Sequence, residues 1–291
     1  GSIGVDGNQL SNSANDSGAA YVFRRTGTTW EQVAYLKSDE TQAGMQFGAA
    51  VDIDGDRIVV GAPQRDVTVP GDGRVYVFLR NGTTWSQEAK LNGIFSGDGD
   101  NFGASVAIDG TAIIVGAPLE DSFSPIGSAS GGIDAGDDSV SDSGAAFAFR
   151  FENGAWSLRY FLKAEDPLTG TGNEVGAQFG YSVAIEGDIV AVGSPFEDSA
   201  TIGIGGTDTA TGASGSGAAY TFQWLTANSL GRTLYCKASN TGAADWFGWS
   251  VAVGLDSVLV GAVHEASNAT GIGGDQADNS ATDAGAVYVI R

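Results

Sequence analysis

The sequence holds one cysteine, one histidine and one methionine in 291 residues. A lone cysteine, Cys236, excludes an internal disulfide, so no covalent staple holds this chain. It stands in "LYCKA" where related segments place Leu36, Leu91 and Leu162, which reads as a small buried apolar side chain. A lone histidine, His264, excludes a His-rich zinc site and any mechanism built on two imidazoles within these residues. Cations are scarce as well: 14 Lys and Arg face 35 Asp and Glu, a net charge of −21. Such a surface repels phosphate backbones and anionic bilayers, so no nucleic acid is expected as a partner. No apolar run reaches the roughly 18 residues of a spanning helix. No charged leader followed by an apolar stretch opens the chain, so no membrane insertion is expected within these residues.

Glycine is abundant: 45 Gly stand beside only 6 Pro, with many Ser, Thr, Asn and Asp between short apolar runs. That is the composition of many turns and short strands. The runs repeat. Phe-Gly pairs stand at Phe47-Gly48, Phe102-Gly103, Phe179-Gly180 and Phe247-Gly248, spaced 55, 77 and 68 residues apart. Each opens an alternating segment such as "FGASVAI", then a tight turn such as "DGT", then a near-continuous apolar run such as "IIVGAP". Alternation predicts a strand with one buried face, and the continuous run predicts a strand covered on both. A third strand follows in "SGAAYVF", "GRVYVF", "SGAAFAF", "SGAAYTF" and "AGAVYVI". The fourth begins at Trp30, Trp85 or Trp156 and ends at Leu36, Leu91 or Leu162, with Leu230 and Cys236 in the last copy. The shared place of the three tryptophans predicts blade packing rather than sugar stacking.

A four-stranded antiparallel unit cannot bury both faces alone, but radial stacking against copies of itself does so. The predicted fold is therefore all-β: a β-propeller of four-stranded blades with incomplete blades at both termini. Residues 1–46 supply strands three and four, 47–101, 102–178 and 179–246 three blades, and 247–291 strands one to three. Residues 1–291 then form one propeller domain or a fragment of one, with seventeen strands in which strand three occurs once more than a closed ring needs. Two readings of the surplus stand: a longer ring cut within an exposed loop, or pairing of the surplus strand with another chain.

Phe-Gly before strand one and Gly-Ala-Pro closing strand two (Gly61-Ala62-Pro63, Gly116-Ala117-Pro118 and Gly193-Ser194-Pro195) resemble the FG-GAP repeat proteins. Their blades are similar to those of the integrin α-subunit propeller. The fourth copy departs, reading Gly261-Ala262-Val263. The resemblance implies an extracellular, secreted or cell-surface protein that adheres to or binds protein or glycan, without catalysis. It also implies calcium between strands one and two. There, however, Asp52, Asp54 and Asp56 lie in a tight hairpin and read as a solvated turn.

The loops between strands two and three are long, acidic and rich in Asx and Gly, the donors and turns that a calcium site uses. Candidate ligands are Asp275, Asp278, Asn279 and Asp283 in the last loop, and Asp134, Asp137, Asp138 and Asp142 in an earlier one. Glu120, Asp121, Glu197, Asp198 and Glu265, just past strand two, would close such a site. The alternative is that these residues build turns and keep the loops solvated. Trp246 and Trp249 flank Phe247-Gly248 and break the repeat, which makes them candidate ligand contacts. Competing functions are a polysaccharide-acting enzyme on the same scaffold, and a structural protein that joins other copies of itself through the terminal strand.

Overall fold

The computed structural model describes residues 2–64, 72–93, 99–123, 138–164, 174–206, 212–226, 229–254 and 256–291, and the backbone of 127–128. Every regular element among the described residues is a β-strand. β1 (Ala20–Thr26) and β2 (Thr29–Leu36) pair alone. β3 (Ala50–Asp54), β4 (Arg57–Ala62), β5 (Arg74–Asn81) and β6 (Thr84–Leu91) form a four-stranded antiparallel meander. The next blade has β7 (Ser105–Asp109), β8 (Ala112–Ala117), β10 (Ala145–Glu152) and β11 (Ala155–Leu162), with the two-residue β9 (Gly127–Ser128) laid outside β11. β12 (Ser182–Glu186), β13 (Ile189–Ser194), β14 (Ala218–Thr226) and β15 (Ser229–Cys236) repeat the meander. β16 (Phe247–Gly254), β17 (Ser257–Ala262) and β18 (Ala286–Ile290) form the last sheet. These are propeller blades, incomplete at both termini. All seventeen expected strands are present, with β9 in addition.

Local structure follows the repeat closely. β8 is buried along its whole length, as its continuous apolar run requires. Strands one and two join by two-residue turns, pairing Asp54 with Arg57, Asp109 with Ala112 and Glu186 with Ile189. Phe-Gly opens the strand itself only at β16; in the three earlier copies the strand starts three residues on. The sequence also hid a bulge. Register skips one residue of strand four at the same place in every blade that has one: Val33, Glu88, Arg159 and Thr233.

Each blade packs its trailing face on the leading face of the next. Val75 and Val77 meet Phe147 and Phe149, Ala146 and Ala148 meet Tyr220 and Phe222, and Ala191 and Ala219 meet Tyr288 and Ile290. Small residues on one side accept rings from the other. The two glycines of the motif meet at this seam. A Cβ on Gly116 would lie 1.9 Å from the carbonyl oxygen of Gly180, and one on Gly193 would lie 2.0 Å from that of Gly248. No side chain fits between these backbones. The neighbouring Ser105 and Ser182 hydroxyls donate to the same two carbonyls at 2.8 and 2.9 Å.

The hairpin carboxylates, read from sequence as a solvated turn, tie blade to blade. Asp52 Oδ2 accepts from the Ile108 amide at 2.8 Å, and Asp54 Oδ2 accepts from the Gly110 amide at 2.7 Å. Asp56 stays in its own blade and pairs with Arg80 at 2.5 Å. The reason is the close approach of neighbouring innermost strands, where the amides beside each turn have no strand partner.

The outermost faces differ from the seams. Tyr21 and Phe23 are 51% and 55% exposed, although their equivalents Tyr76 and Phe78 are fully buried. Trp30 is 64% exposed, against 8% for Trp85, so the expectation of blade packing fails for Trp30 and holds for Trp85. Trp156 also packs: its indole donates to Glu88 of the preceding blade at 3.1 Å. Among the described residues no strand pairing joins the first sheet to the last.

Candidate functional site

The ends of strand two and the starts of strand one lie at one end of the blades, and the features that depart from the repeat collect there. At the seam between the β12–β15 blade and the last sheet, Trp246 and Trp249 stack with ring centroids 5.2 Å apart and planes 13° from parallel. Phe196 meets Trp246 edge-on at 5.2 Å, and Tyr181 lies 4.6 Å from Trp249. His264 stands edge-on to Trp246 at 4.1 Å and shares a hydrogen bond of 2.5 Å with Asp283. All four aromatic rings are half-buried, which leaves part of each open to solvent.

The repeat explains why this seam is unusual. Tyr181 and Trp249 occupy the places of Ala49 and Ala104; Phe196 that of Gln64 and Leu119; Trp246 that of Gln46, Asn101 and Gln178. At the earlier seam Gln64 and Asn101 are joined by a hydrogen bond. Here rings replace those amides. Trp246 also keeps the left-handed backbone of its counterparts, φ 56°, beside 54°, 57° and 53° for Gln46, Asn101 and Gln178. Bulky residues rarely adopt that conformation, and such strain persists where the surroundings enforce it. Aromatic faces of this kind stack on sugar rings or apolar side chains, and Asp283 and His264 offer polar groups at the rim.

Buried charge clusters stand just past the end of strand two in two of the blades. Lys163 Nζ donates to Glu120 Oε2 at 2.6 Å and to Ser143 Oγ at 2.7 Å. Lys237 Nζ donates to Glu197 Oε2 at 2.5 Å and to Ser216 Oγ at 2.7 Å, and the Tyr235 hydroxyl donates to Glu197 Oε1 at 2.8 Å. Burial lowers the pKa of both lysines while the paired glutamate opposes it. Glu174 lies over the second cluster. Burial pushes its carboxyl up to about 7, and the nearby Glu197 and Asp198 add to the effect. Burial likewise raises the Cys236 thiol to about 12, matching a small buried apolar side chain rather than a reactive one.

Several of the side chains proposed from sequence as calcium ligands have other partners. Glu120 and Glu197 face ammonium groups. Asp121 Oδ1 accepts from the Asp142 amide at 2.6 Å, and Asp198 Oδ1 from that of Gly215 at 2.7 Å. Asp275 and Asp278 accept from the Ala277 and Ser280 amides of their own loop at 3.0 and 2.8 Å. Asp283 serves His264, Asp138 and Asn279 are exposed, and Asp134 and Asp137 lie outside the described residues. Glu265 is buried and accepts from Asn240 and Ser267. Among the described residues no group of three or more His, Cys, Asp or Glu side chains is placed to hold a metal ion.

Two of the platform residues, Trp246 and Trp249, were legible in the sequence. Tyr181, Phe196 and His264 were missed, although aligning the repeats position by position would have shown aromatics replacing Ala, Gln and Leu. The buried lysines were missed too, because nothing in a lone Lys after strand four tells of a glutamate about 40 residues away. Comparison with known families finds the FG-GAP repeat at residues 30–78, 85–149 and 164–222, more than half of the chain. No curated protein matches it.

Proposed function

Because the chain belongs to the FG-GAP repeat family, we propose that this propeller is a non-catalytic binding scaffold which engages a protein or glycan ligand at the aromatic seam. The observation that carries the reading is the ring cluster of Tyr181, Phe196, Trp246 and Trp249, set where other blades keep small or mostly polar residues. Function in propellers resides in residues grafted on a shared frame, and this is the place where the repeat is broken most heavily. The His264–Asp283 pair does not by itself favour an enzyme: among the described residues no hydroxyl or thiol is hydrogen-bonded to the His264 ring.

An extracellular or cell-surface setting belongs to the same proposal, supported by the family resemblance. Calcium is proposed for the long loops only, on their composition. It would have to displace the backbone bonds made by Asp275 and Asp278 or use backbone carbonyls. A thermal melt in calcium and in chelator tests it, and an unchanged melt removes calcium from the reading.

Tryptophan emission and glycan-array retention, measured for the wild type and for Trp249→Ala, test the platform. Retention on a defined set of oligosaccharides, or on an immobilised protein ligand, is expected to fall at least tenfold in the variant. Equal retention by both proteins on every ligand that the wild type binds would place binding elsewhere.

A further inference from the structure

At the aromatic seam two facing positions of the repeat change together. The left-handed residue before each Phe-Gly donates its amide to a carbonyl of the turn before strand three: Gln46 to Asp16, Gln178 to Asp142 and Trp246 to Gly215, at 3.0, 3.0 and 3.1 Å. Asp16, Asp142 and Gly215 are aligned, with Asp283 at the same place in the last copy and Gly71, outside the described residues, in the short loop. Aspartate thus faces glutamine twice, and glycine faces tryptophan. The backbone does not require glycine there. Gly215 has φ 62°, and Asp16, Asp142 and Asp283 hold 54°, 51° and 59°, a region that Asp tolerates. The bond that ties this turn to its own blade is also shared: Asp198 Oδ1 accepts from the Gly215 amide as Asp121 Oδ1 does from that of Asp142.

What Gly215 meets is the indole. A Cβ there would lie 3.4 Å from Trp246 Nε1 and 3.5 Å from its Cδ1. A methyl fits at those distances, but a carboxylate carried beyond it comes within reach of the indole N–H and accepts from it. With glycine in place, Trp246 Nε1 has no acceptor among the described residues, and the atom reaches solvent. The Tyr181 hydroxyl is likewise unpaired and open, and burial raises its pKa, so it stays neutral. The Trp156 indole, by contrast, is spent on Glu88. The rings therefore carry uncharged polar tips that no protein group uses. A pyranose suits them: its C–H face lies on rings, and its hydroxyls both accept and donate. Anionic sugars do not, since the chain carries a net charge of −21 and Asp198 is bonded to the Gly215 amide beside the indole.

We propose that Gly215 is a specificity-determining residue: by carrying no side chain it leaves the Trp246 indole N–H free to donate to a hydroxyl of a neutral glycan seated on the rings. The proposal rests on the reading of the ring cluster as the binding site, and adds to it the ligand class and the donor.

Titration of protein carrying isotope-labelled tryptophan, followed by NMR of the indole N–H groups, tests it. The probes are cellohexaose, maltohexaose, mannohexaose and xylohexaose, with hexagalacturonate and a pool of uncharged decapeptides as comparators. A neutral hexaose is expected to bind and to move the Trp246 N–H resonance. Gly215→Asp is expected to shift that resonance in the free protein and to weaken binding about tenfold. Gly215→Ala adds a methyl but no acceptor and is expected to stay within about threefold of wild type. Should Gly215→Asp fail to fold, Trp246→Phe keeps a ring, removes the donor and is expected to lose about tenfold. Wild-type affinity in Gly215→Asp or in Trp246→Phe overturns the proposal, as does binding of hexagalacturonate or peptide but of no neutral sugar, or binding of none of the probes. The two readings separate through Trp249→Ala. Binding lost in Trp249→Ala but kept in Gly215→Asp overturns the role of Gly215 and leaves the ring cluster as the site, whereas binding kept in Trp249→Ala removes the site itself.

Discussion

Gly116 and Gly180, one from the end of strand two and one from the Phe-Gly pair of the next blade, face each other so closely that a Cβ on Gly116 would stand 1.9 Å from the Gly180 carbonyl oxygen. The two halves of the repeat motif are therefore one contact seen from two blades. The backbone of each blade leans on that of the next, and the glycines leave the room.

Gly116→Ala is expected to destabilise the fold by about 3 kcal/mol or more, because backbone on both sides must shift. Gly82→Ala is the comparison. Unlike Gly116, Gly82 has positive φ, 63°, with open space beside it, so about 1 kcal/mol of conformational cost alone is expected there. Urea unfolding of both variants separates the seam from the conformational cost, and equal losses would remove the seam contact as the reason for the motif.

Lys237 and Glu197 are fully buried and paired at 2.5 Å. Lys237→Met leaves Glu197 buried without its cation and is expected to cost about 3–5 kcal/mol. Adding Glu197→Gln removes the orphaned charge while keeping an acceptor for Tyr235, and the double variant is expected to recover at least half of that loss. A double variant as unstable as Lys237→Met would show that the charge itself is not the source of the cost.

Glu174 has a folded-state pKa of about 7, above its ordinary 4.5, so the folded protein binds the extra proton between those values. Stability contributed by the protonated form is full below about pH 4.5 and is lost as pH rises to about 7. Glu174→Gln is expected to raise the melt at neutral pH and to flatten its dependence across that window. The gain is on the order of 1 kcal/mol once partial exposure is allowed for. Melts of both proteins across the window check this, and parallel curves would count against it.

Trp246→Gln installs the residue that Gln46 and Gln178 provide at the same left-handed position. Its melt is expected to stay within about 1 kcal/mol of wild type, since lost ring packing is offset by relief of backbone strain. Ligand retention is expected to fall at least tenfold with it. A large loss of stability with retained binding would make Trp246 a packing residue.

The blade was legible because strand periodicity, turn glycines and repetition are local signals: "FGASVAIDGTAIIVGAP" predicts β7, its two-residue turn and the buried β8 from residue types alone. Charge balance and the single cysteine and histidine are likewise composition, and they limited the chemistry before any fold was known. Only the tertiary structure decided what meets across seams. It turned Asp52 and Asp54 from solvated turn residues into ties to Ile108 and Gly110. It paired Glu120 and Glu197 with Lys163 and Lys237, each about 40 residues away in sequence. It also brought Tyr181, Phe196, Trp246 and Trp249 together over nearly 70 residues of sequence. The reason is geometric: periodicity fixes which way a side chain points within one blade, whereas its partner is set by stacking blades whose intervening loops differ in length.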